Sequence, residues 1–295
     1  MADTTARFSD RLAAGIDRVG TPACVGLDPV IEKLPAALVG RVAESAEAVG
    51  AIERFCMGVL DAVAGIVAVV KPQSACFERY GSAGVAVLES VIRAARERGL
   101  LVILDAKRGD IGVSGEHYAS AAFDGPGRAD ALTISGYLGP DTIPPMVRPG
   151  TGLFVLVRTS NPGSDATQGV RLADGRTVGE MMADLVSGIG REHVGVRGLS
   201  DIGAVVGATK AAEGRGLRRR MREQYLLVPG FGAQGGTVAD VRELVREGAR
   251  TAGELGIVVN ASRSVLYPGT GGEWKAGVRD AARRLAEELR ALSPG

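Results

Sequence analysis

Imidazole is nearly absent from this chain: its 295 residues include two histidines, His117 and His193, and neither stands at a metal-ligand spacing. A histidine-based metal site is therefore not expected, and both side chains are assigned to helix surfaces. Cysteine is almost as scarce. Cys24, Cys56 and Cys76 form no Cys-x-x-Cys pair, and an odd, scattered set suits a reducing compartment better than a disulfide framework, so all three are expected in the core. No apolar run approaches the roughly 18 residues that a membrane helix needs. The start, Met1-Ala-Asp-Thr-Thr-Ala-Arg7, has no basic region followed by an apolar stretch. These absences predict a cytoplasmic protein without membrane association. An excess of one charge is lacking too. Lys and Arg number 35 against 34 Asp and Glu, leaving +1, so no field favours nucleic acid or an acidic membrane, and a small molecule is the expected partner. The basic cluster at 215–222 falls on an expected helix and reads as a solvated face.

Glycine is plentiful, yet 43 glycines and 13 prolines together are only about a fifth of the chain, below the share that marks low complexity. The length exceeds that at which single cores usually stop growing, but α/β barrels reach it as one domain. No linker-like shift divides the sequence, so one domain over 1–295 is expected. Short β-rich apolar runs lie at 23–27, 66–70, 100–104, 131–134, 153–157, 202–207, 225–228 and 257–259. Helix-period stretches such as 85–98, 238–250 and 276–292 separate them, which argues for βα units with parallel strands. About eight alternations suggest a closed (β/α)8 barrel. An open doubly wound sheet has the same alternation and stays open on periodicity alone. Residues 29–49 and 188–198 exceed ordinary connections and are expected as extensions that cover the barrel base or thicken an interface.

The densest chemistry is Asp105-Ala-Lys107-Arg-Gly-Asp110, directly after the apolar run 100–104. Residues two apart share one face of a strand, so Asp105 and Lys107 should project together past its carboxyl end, with Asp110 in the turn beyond. A lysine between two carboxylates keeps its proton and is a ready acid. A salt-bridged strand terminus is the structural alternative. Other strand ends are polar as well: Asp28-Pro29, Lys71-Pro72-Gln73, Thr159-Ser160-Asn161-Pro162, Pro229-Gly230 and Asn260-Ala261-Ser262-Arg263. A barrel builds its site where strands end, so these groups should converge on one mouth. The seventh loop fits Gly-x-Gly-x-x-Gly at Gly230, Gly232 and Gly235, with Glu254 placed for a ribose contact. In the penultimate unit of a barrel, a monophosphate held by backbone N–H groups is the favoured reading over a dinucleotide. Arg263 can supply the fork that grips it.

With these blocks assembled, the chain resembles the orotidine 5′-phosphate decarboxylases, specifically the longer bacterial type. Asp28-Pro29, Lys71-Pro72-Gln73, Asp105-x-Lys107-x-x-Asp110-Ile111, Thr159-Ser160-Asn161-Pro162, Pro229-Gly230 and Asn260-Ala261-Ser262-Arg263 occur in the family's order. The Asp-x-Lys-x-x-Asp element is shared with metal-using sibling barrels, and Lys71 is the better discriminator. The resemblance implies an alternating charged array of Lys71, Asp105, Lys107 and Asp110, with Asp110, Ile111 and Ser114 reaching into the partner subunit's site of a homodimer. It implies that Asp28 binds ribose hydroxyls, Ser160 and Thr159 contact the pyrimidine, Pro229 lines the base pocket, and Gln234 and Arg263 hold the phosphate. Ser114 stands where the family more often has threonine, and the hydroxyl is kept. The implied reaction converts orotidine 5′-monophosphate to UMP and carbon dioxide, without metal or cofactor, with Lys107 stabilising and protonating the carbanion at C6. Three rivals stay open: a metal-dependent sugar-phosphate decarboxylase or aldolase of the same superfamily, a Schiff-base aldolase using Lys71 or Lys107, and a non-catalytic nucleotide-binding barrel. Flanking carboxylates disfavour the Schiff base, because they raise a lysine's pKa.

Overall fold

Eight strands, β1 (Ala23–Leu27), β2 (Val69–Pro72), β3 (Leu101–Arg108), β4 (Ala131–Ile134), β5 (Gly152–Arg158), β6 (Ser200–Val206), β7 (Gln224–Val228) and β8 (Ile257–Ala261), form the sheet. Each pairs in parallel with the next and β8 returns to β1, so the sheet closes into a barrel. The structure is a computed structural model describing residues 6–39, 45–232, 235–268 and 273–294. Closure removes the open-sheet alternative: this is a (β/α)8 barrel. Helices Ser45–Val63, Gly81–Glu97, Gly112–Phe123, Val178–Gly190, Ala211–Arg220, Val238–Arg242 and Trp274–Arg290 follow β1, β2, β3, β5, β6, β7 and β8. The β4–β5 connection carries two 3-10 turns, Pro140–Thr142 and Pro144–Met146, where proline supplies the fixed φ of a turn.

Strands buried on both faces explain why the sequence runs were continuously apolar rather than alternating. One face packs into the layer between strands and helices, with Val25, Val70, Val102, Leu132, Val155 and Val259 buried there. The other fills the barrel interior with Cys24, Val69, Ile103, Phe154, Tyr225 and Val258. Helix Phe8–Val19 closes the amino-terminal end of the barrel, its apolar side chains Phe8, Leu12 and Ile16 belonging to the interior cluster. Phe8 meets Phe154 edge to face at 6.1 Å. Polar groups fix the plug: the Ser9 amide donates to Asp201 Oδ1 (2.8 Å), and the Gly253 amide to Asp17 (2.6 Å). Asp10 accepts from the amides of Val196 and Arg197, each at 3.1 Å, so residues 188–198 do cover the base. Of the 29–49 extension, residues 29–39 and 45–49 do not, and 40–44 lie outside the described residues: the segment follows β1 on the opposite side, where the Val30 amide donates to the Tyr267 hydroxyl (2.8 Å).

Several boundaries move. The second strand begins at Val69 rather than 66, because the amides of Ile66 and Val67 still bond back to Val63 and Gly65 turns at φ 78°. This shift brings Lys71 inside the strand. The expected helix over 238–250 stops at Arg242, since Gly248 takes φ 74° and the Arg246 amide pairs with the Leu255 carbonyl instead of an in-helix one. Cys24 and Cys56 are core residues, whereas Cys76 is only half-buried. His117 lies on an exposed helix face, and His193 in the 3-10 turn Arg191–His193.

Candidate active site

A cavity of about 590 Å³ opens at the carboxyl ends of the strands. All eight contribute to its wall: Asp28 follows β1, Lys71 lies on β2, Asp105 and Lys107 on β3, Thr133 on β4, Leu156 on β5, Val205 on β6, Leu227 on β7 and Asn260 on β8. Leu156, Val205 and Leu227 make an apolar surface facing the charged wall formed by Lys71, Asp105 and Lys107. Thr159, Ser160, Pro229, Gly230 and Arg263 continue the lining at the loops.

Asp105 is the hub of the charged wall. Its Oδ2 accepts from Lys71 Nζ (2.5 Å) and Gln73 Nε2 (3.2 Å), and its Oδ1 from Lys107 Nζ (2.5 Å) and Thr133 Oγ1 (2.9 Å). Four donors saturate the lone-pair directions of one carboxylate. A divalent cation could reach it only by displacing one of these donors. Burial pushes the Asp105 carboxyl up, but the Lys71 and Lys107 ammonium groups outweigh it and hold the pKa at about 2. Burial pushes Lys71 down, and the carboxylates of Asp105 and Asp28 more than offset this, leaving Lys71 above its ordinary value. The two lysines differ in access: the side chain of Lys71 is 4% exposed and that of Lys107 is 47%. Lys107 is thus the more exposed of the two ammonium groups at the cavity wall, and Lys71 lies buried against the hub.

The sequence motif suggested a lysine between two carboxylates. Within one chain the arrangement is inverted, a carboxylate between two lysines. Asp110 turns back to accept from its neighbour's amide, Ile111 N (2.8 Å), and does not line the cavity. Ile111 is 63% exposed and Ser114 lies on an exposed helix face, also outside the cavity. β3 also continues to Arg108, so Asp105 and Lys107 lie within the strand rather than beyond it. They are not on a regular strand, however. Lys107 takes φ 47°, the one positive value for a non-glycine among the described residues, and pairing to β4 slips between Leu104 and Arg108. A bulge re-aims side chains, and a left-handed residue costs free energy that surrounding contacts must supply.

The remaining wall is built for polar ligand groups. Asp28 Oδ1 is buried with no hydrogen-bond partner among the described residues, a cost unless a ligand donor occupies it. Gln168 Oε1 accepts from the Thr159 amide (2.7 Å) and its Nε2 donates to the Thr159 hydroxyl (3.0 Å), fixing the loop that carries Ser160. That loop is anchored by Arg158, whose guanidinium binds Glu213 (2.8 Å), Ser164 and Asp165. In the seventh loop Gly230, Gly232 and Gly235 have φ of 90°, 67° and 93°, a backbone that only glycine adopts readily. Hydrogen bonds from Gly236 N to Gly230 O (3.1 Å) and Gly232 N to Gly236 O (2.9 Å) close it. Arg263, exposed beside it, opens the short helix Arg263–Leu266. Gln234 lies outside the described residues. Glu254 does not serve a ribose: it precedes β8 at the barrel base, where it accepts from the Arg250 amide (3.0 Å), and this removes the dinucleotide reading.

Sequence reasoning passed over Thr133 and Gln73 as site residues. The available signal for Thr133 was one hydroxyl in the apolar run Ala131-Leu132-Thr133-Ile134; for Gln73, its place directly beyond Lys71 and Pro72 at a strand end.

A model of the Orotidine 5′-phosphate decarboxylase / HUMPS family matches residues 21–268. The orotidine 5′-phosphate decarboxylase of Rhodopirellula baltica is 41% identical over 96% of this chain and 99% of its own. That of Salinispora tropica is 42% identical, covering 98% and 99%. The solved structure of the Leishmania donovani OMP decarboxylase superposes with a TM-score of 0.77 at 33% identity, over 97% of this chain and 98% of that one. By matched length, identity and barrel, the chain belongs to the orotidine 5′-phosphate decarboxylase / HUMPS family.

Proposed function

We propose that this chain decarboxylates orotidine 5′-monophosphate to UMP and carbon dioxide, the reaction that supplies UMP in pyrimidine biosynthesis. The observation that carries the reading is the saturated Asp105 carboxylate, with buried Lys71 on one oxygen and cavity-facing Lys107 on the other. Cleavage of the bond between C6 and the carboxylate leaves the electron pair on C6, where the ring delocalises it poorly. A prepositioned ammonium stabilises that charge without reorganising. Lys107 then delivers a proton from Nζ to C6 and regains one from solvent. Asp105 holds Lys107 in place, and its own negative charge crowds the substrate carboxylate.

Asp28, with its unpartnered buried oxygen, receives the ribose hydroxyls. Ser160, seated by the Thr159–Gln168 pair, meets the pyrimidine, and Pro229 lines the base pocket. Arg263 and Gln234 hold the phosphate over the glycine loop, and this remote grip contributes to transition-state binding. No metal enters the scheme, because every oxygen direction on the hub carboxylate already takes a protein donor.

The working unit in this reading is a homodimer in the cytoplasm, one barrel domain per subunit. Asp110, Ile111 and Ser114 point away from their own cavity, and Ile111, Val113, Tyr137 and Leu138 expose 63%, 65%, 83% and 53% of their surface. Such side chains on two successive βα segments favour burial against a second copy, whose site would receive Asp110. The deciding experiment follows the ultraviolet absorbance of orotidine 5′-monophosphate with purified protein in the presence of a chelator. Loss of signal with UMP as product supports the proposal. Activity that requires added magnesium would point to the metal-dependent sibling reactions, and UMP binding without turnover to a silent nucleotide binder.

A further inference from the structure

We infer that Thr133 is the positioning residue of this site: its hydroxyl holds both the carboxylate and the strained backbone that aim Lys107. The inference rests on the role of Lys107 proposed above. Regular pairing relates Leu104 to Leu132 and Arg108 to Ile134, so Asp105, Ala106 and Lys107 bulge opposite Thr133 alone. A bulge leaves ladder groups unpaired. Here the lost ladder bond is replaced by a side chain, since the Lys107 amide donates to Thr133 Oγ1 at 3.0 Å. The same oxygen donates its hydrogen to Asp105 Oδ1 at 2.9 Å, beside Lys107 Nζ at 2.5 Å on that oxygen.

One hydroxyl therefore closes a ring that runs from the Lys107 amide through Thr133 and the Asp105 carboxylate to the Lys107 ammonium. Its two bonds divide the labour. The accepted bond fixes residue 107 at φ 47°, a conformation that lysine does not hold unaided. The donated bond fixes the rotation of the carboxylate on which the ammonium rests. Thr133 is 1% exposed, so water does not readily substitute for either bond. Valine has the same shape with neither function, and serine keeps both.

The test is steady-state decarboxylation by Thr133→Val and Thr133→Ser, with UMP affinity by calorimetry. A bond to a charged group is worth about 1.5–3 kcal/mol, so Thr133→Val is expected to lose roughly 10- to 100-fold in kcat. KM and the UMP Kd should stay within about threefold, because binding groups are untouched. Thr133→Ser should keep kcat within about threefold of the parent. Parental kcat in Thr133→Val, an equal loss in both variants, or a loss confined to KM would each overturn the inference. If circular dichroism shows Thr133→Val unfolded, Thr133→Ala takes its place under the same criteria. Lys107→Ala, run alongside, separates the two readings. An inactive Lys107→Ala with a fully active Thr133→Val removes only the role of Thr133, whereas turnover by Lys107→Ala removes the lysine assignment and this inference with it.

Discussion

Lys71 and Lys107 share one carboxylate but not one environment, and this difference separates what their loss should do. Lys107→Ala removes a half-exposed ammonium, so it should abolish turnover of orotidine 5′-monophosphate while the unfolding midpoint moves little. Asp105→Asn removes the only carboxylate bonded to Lys71 among the described residues, and the Lys71 side chain is 4% exposed. Stranding a buried charge typically costs about 3–5 kcal/mol, and urea unfolding should show Asp105→Asn as the more destabilised of the two. The array also sets a pH window. The Asp105 pKa falls from 3.8 unfolded to about 2 folded, so its contribution is present above pH 3.8 and is lost as pH falls towards 2. That of Lys71, raised above 10.5, is present below 10.5 and lost as pH rises through its folded value. Unfolding free energy measured across this range should therefore decline at both ends. Asp105, Lys107 and Lys71 were each legible from the sequence as strand-end charges. Their arrangement was not, because spacing along one strand reveals nothing about a neighbour's lysine reaching across, and one hydroxyl in an apolar strand gives no signal until the bulge opposite it is seen.

Among the elements, the glycine loop after β7 is the one whose conformation follows most directly from residue type. Gly230 sits at φ 90°, and a Cβ there costs about 1–2 kcal/mol or more. Gly230→Ala should raise KM for the nucleotide, with far-ultraviolet circular dichroism unchanged, since the loop lies outside every strand. Phosphate affinity measured in the same variant should weaken in parallel. At the other end, Phe8→Ala would empty a fully buried ring against Phe154, a change worth about 3–5 kcal/mol of stability with little effect on kcat. All eight strands were visible as apolar runs, because strands buried on both faces tolerate little else. Their limits were less visible. The strand at Val69 and the helix ending at Arg242 are set by backbone bonds to Val63 and Leu255, which lie outside any local pattern.

For the molecule as a whole, the proposed exchange of Asp110 between subunits makes a prediction no single chain can satisfy. Asp110→Ala and Lys107→Ala, each impaired alone, should regain part of the parental activity when mixed, because hybrid dimers contain one site with both groups intact. No recovery, with mixing verified by mass spectrometry, would leave Asp110 serving its own subunit. The barrel's closed base carries a different consequence, one of timing. The plug helix Phe8–Val19 is made before its fixing partners Val196, Arg197, Asp201 and Gly253, which lie 186 to 236 residues further along the chain. At about 5–20 residues per second, synthesis leaves the apolar face of Phe8, Leu12 and Ile16 waiting for roughly 10 to 50 seconds. During that interval the nascent chain displays an amphipathic helix without these partners, which makes residues 8–19 a segment in need of a chaperone.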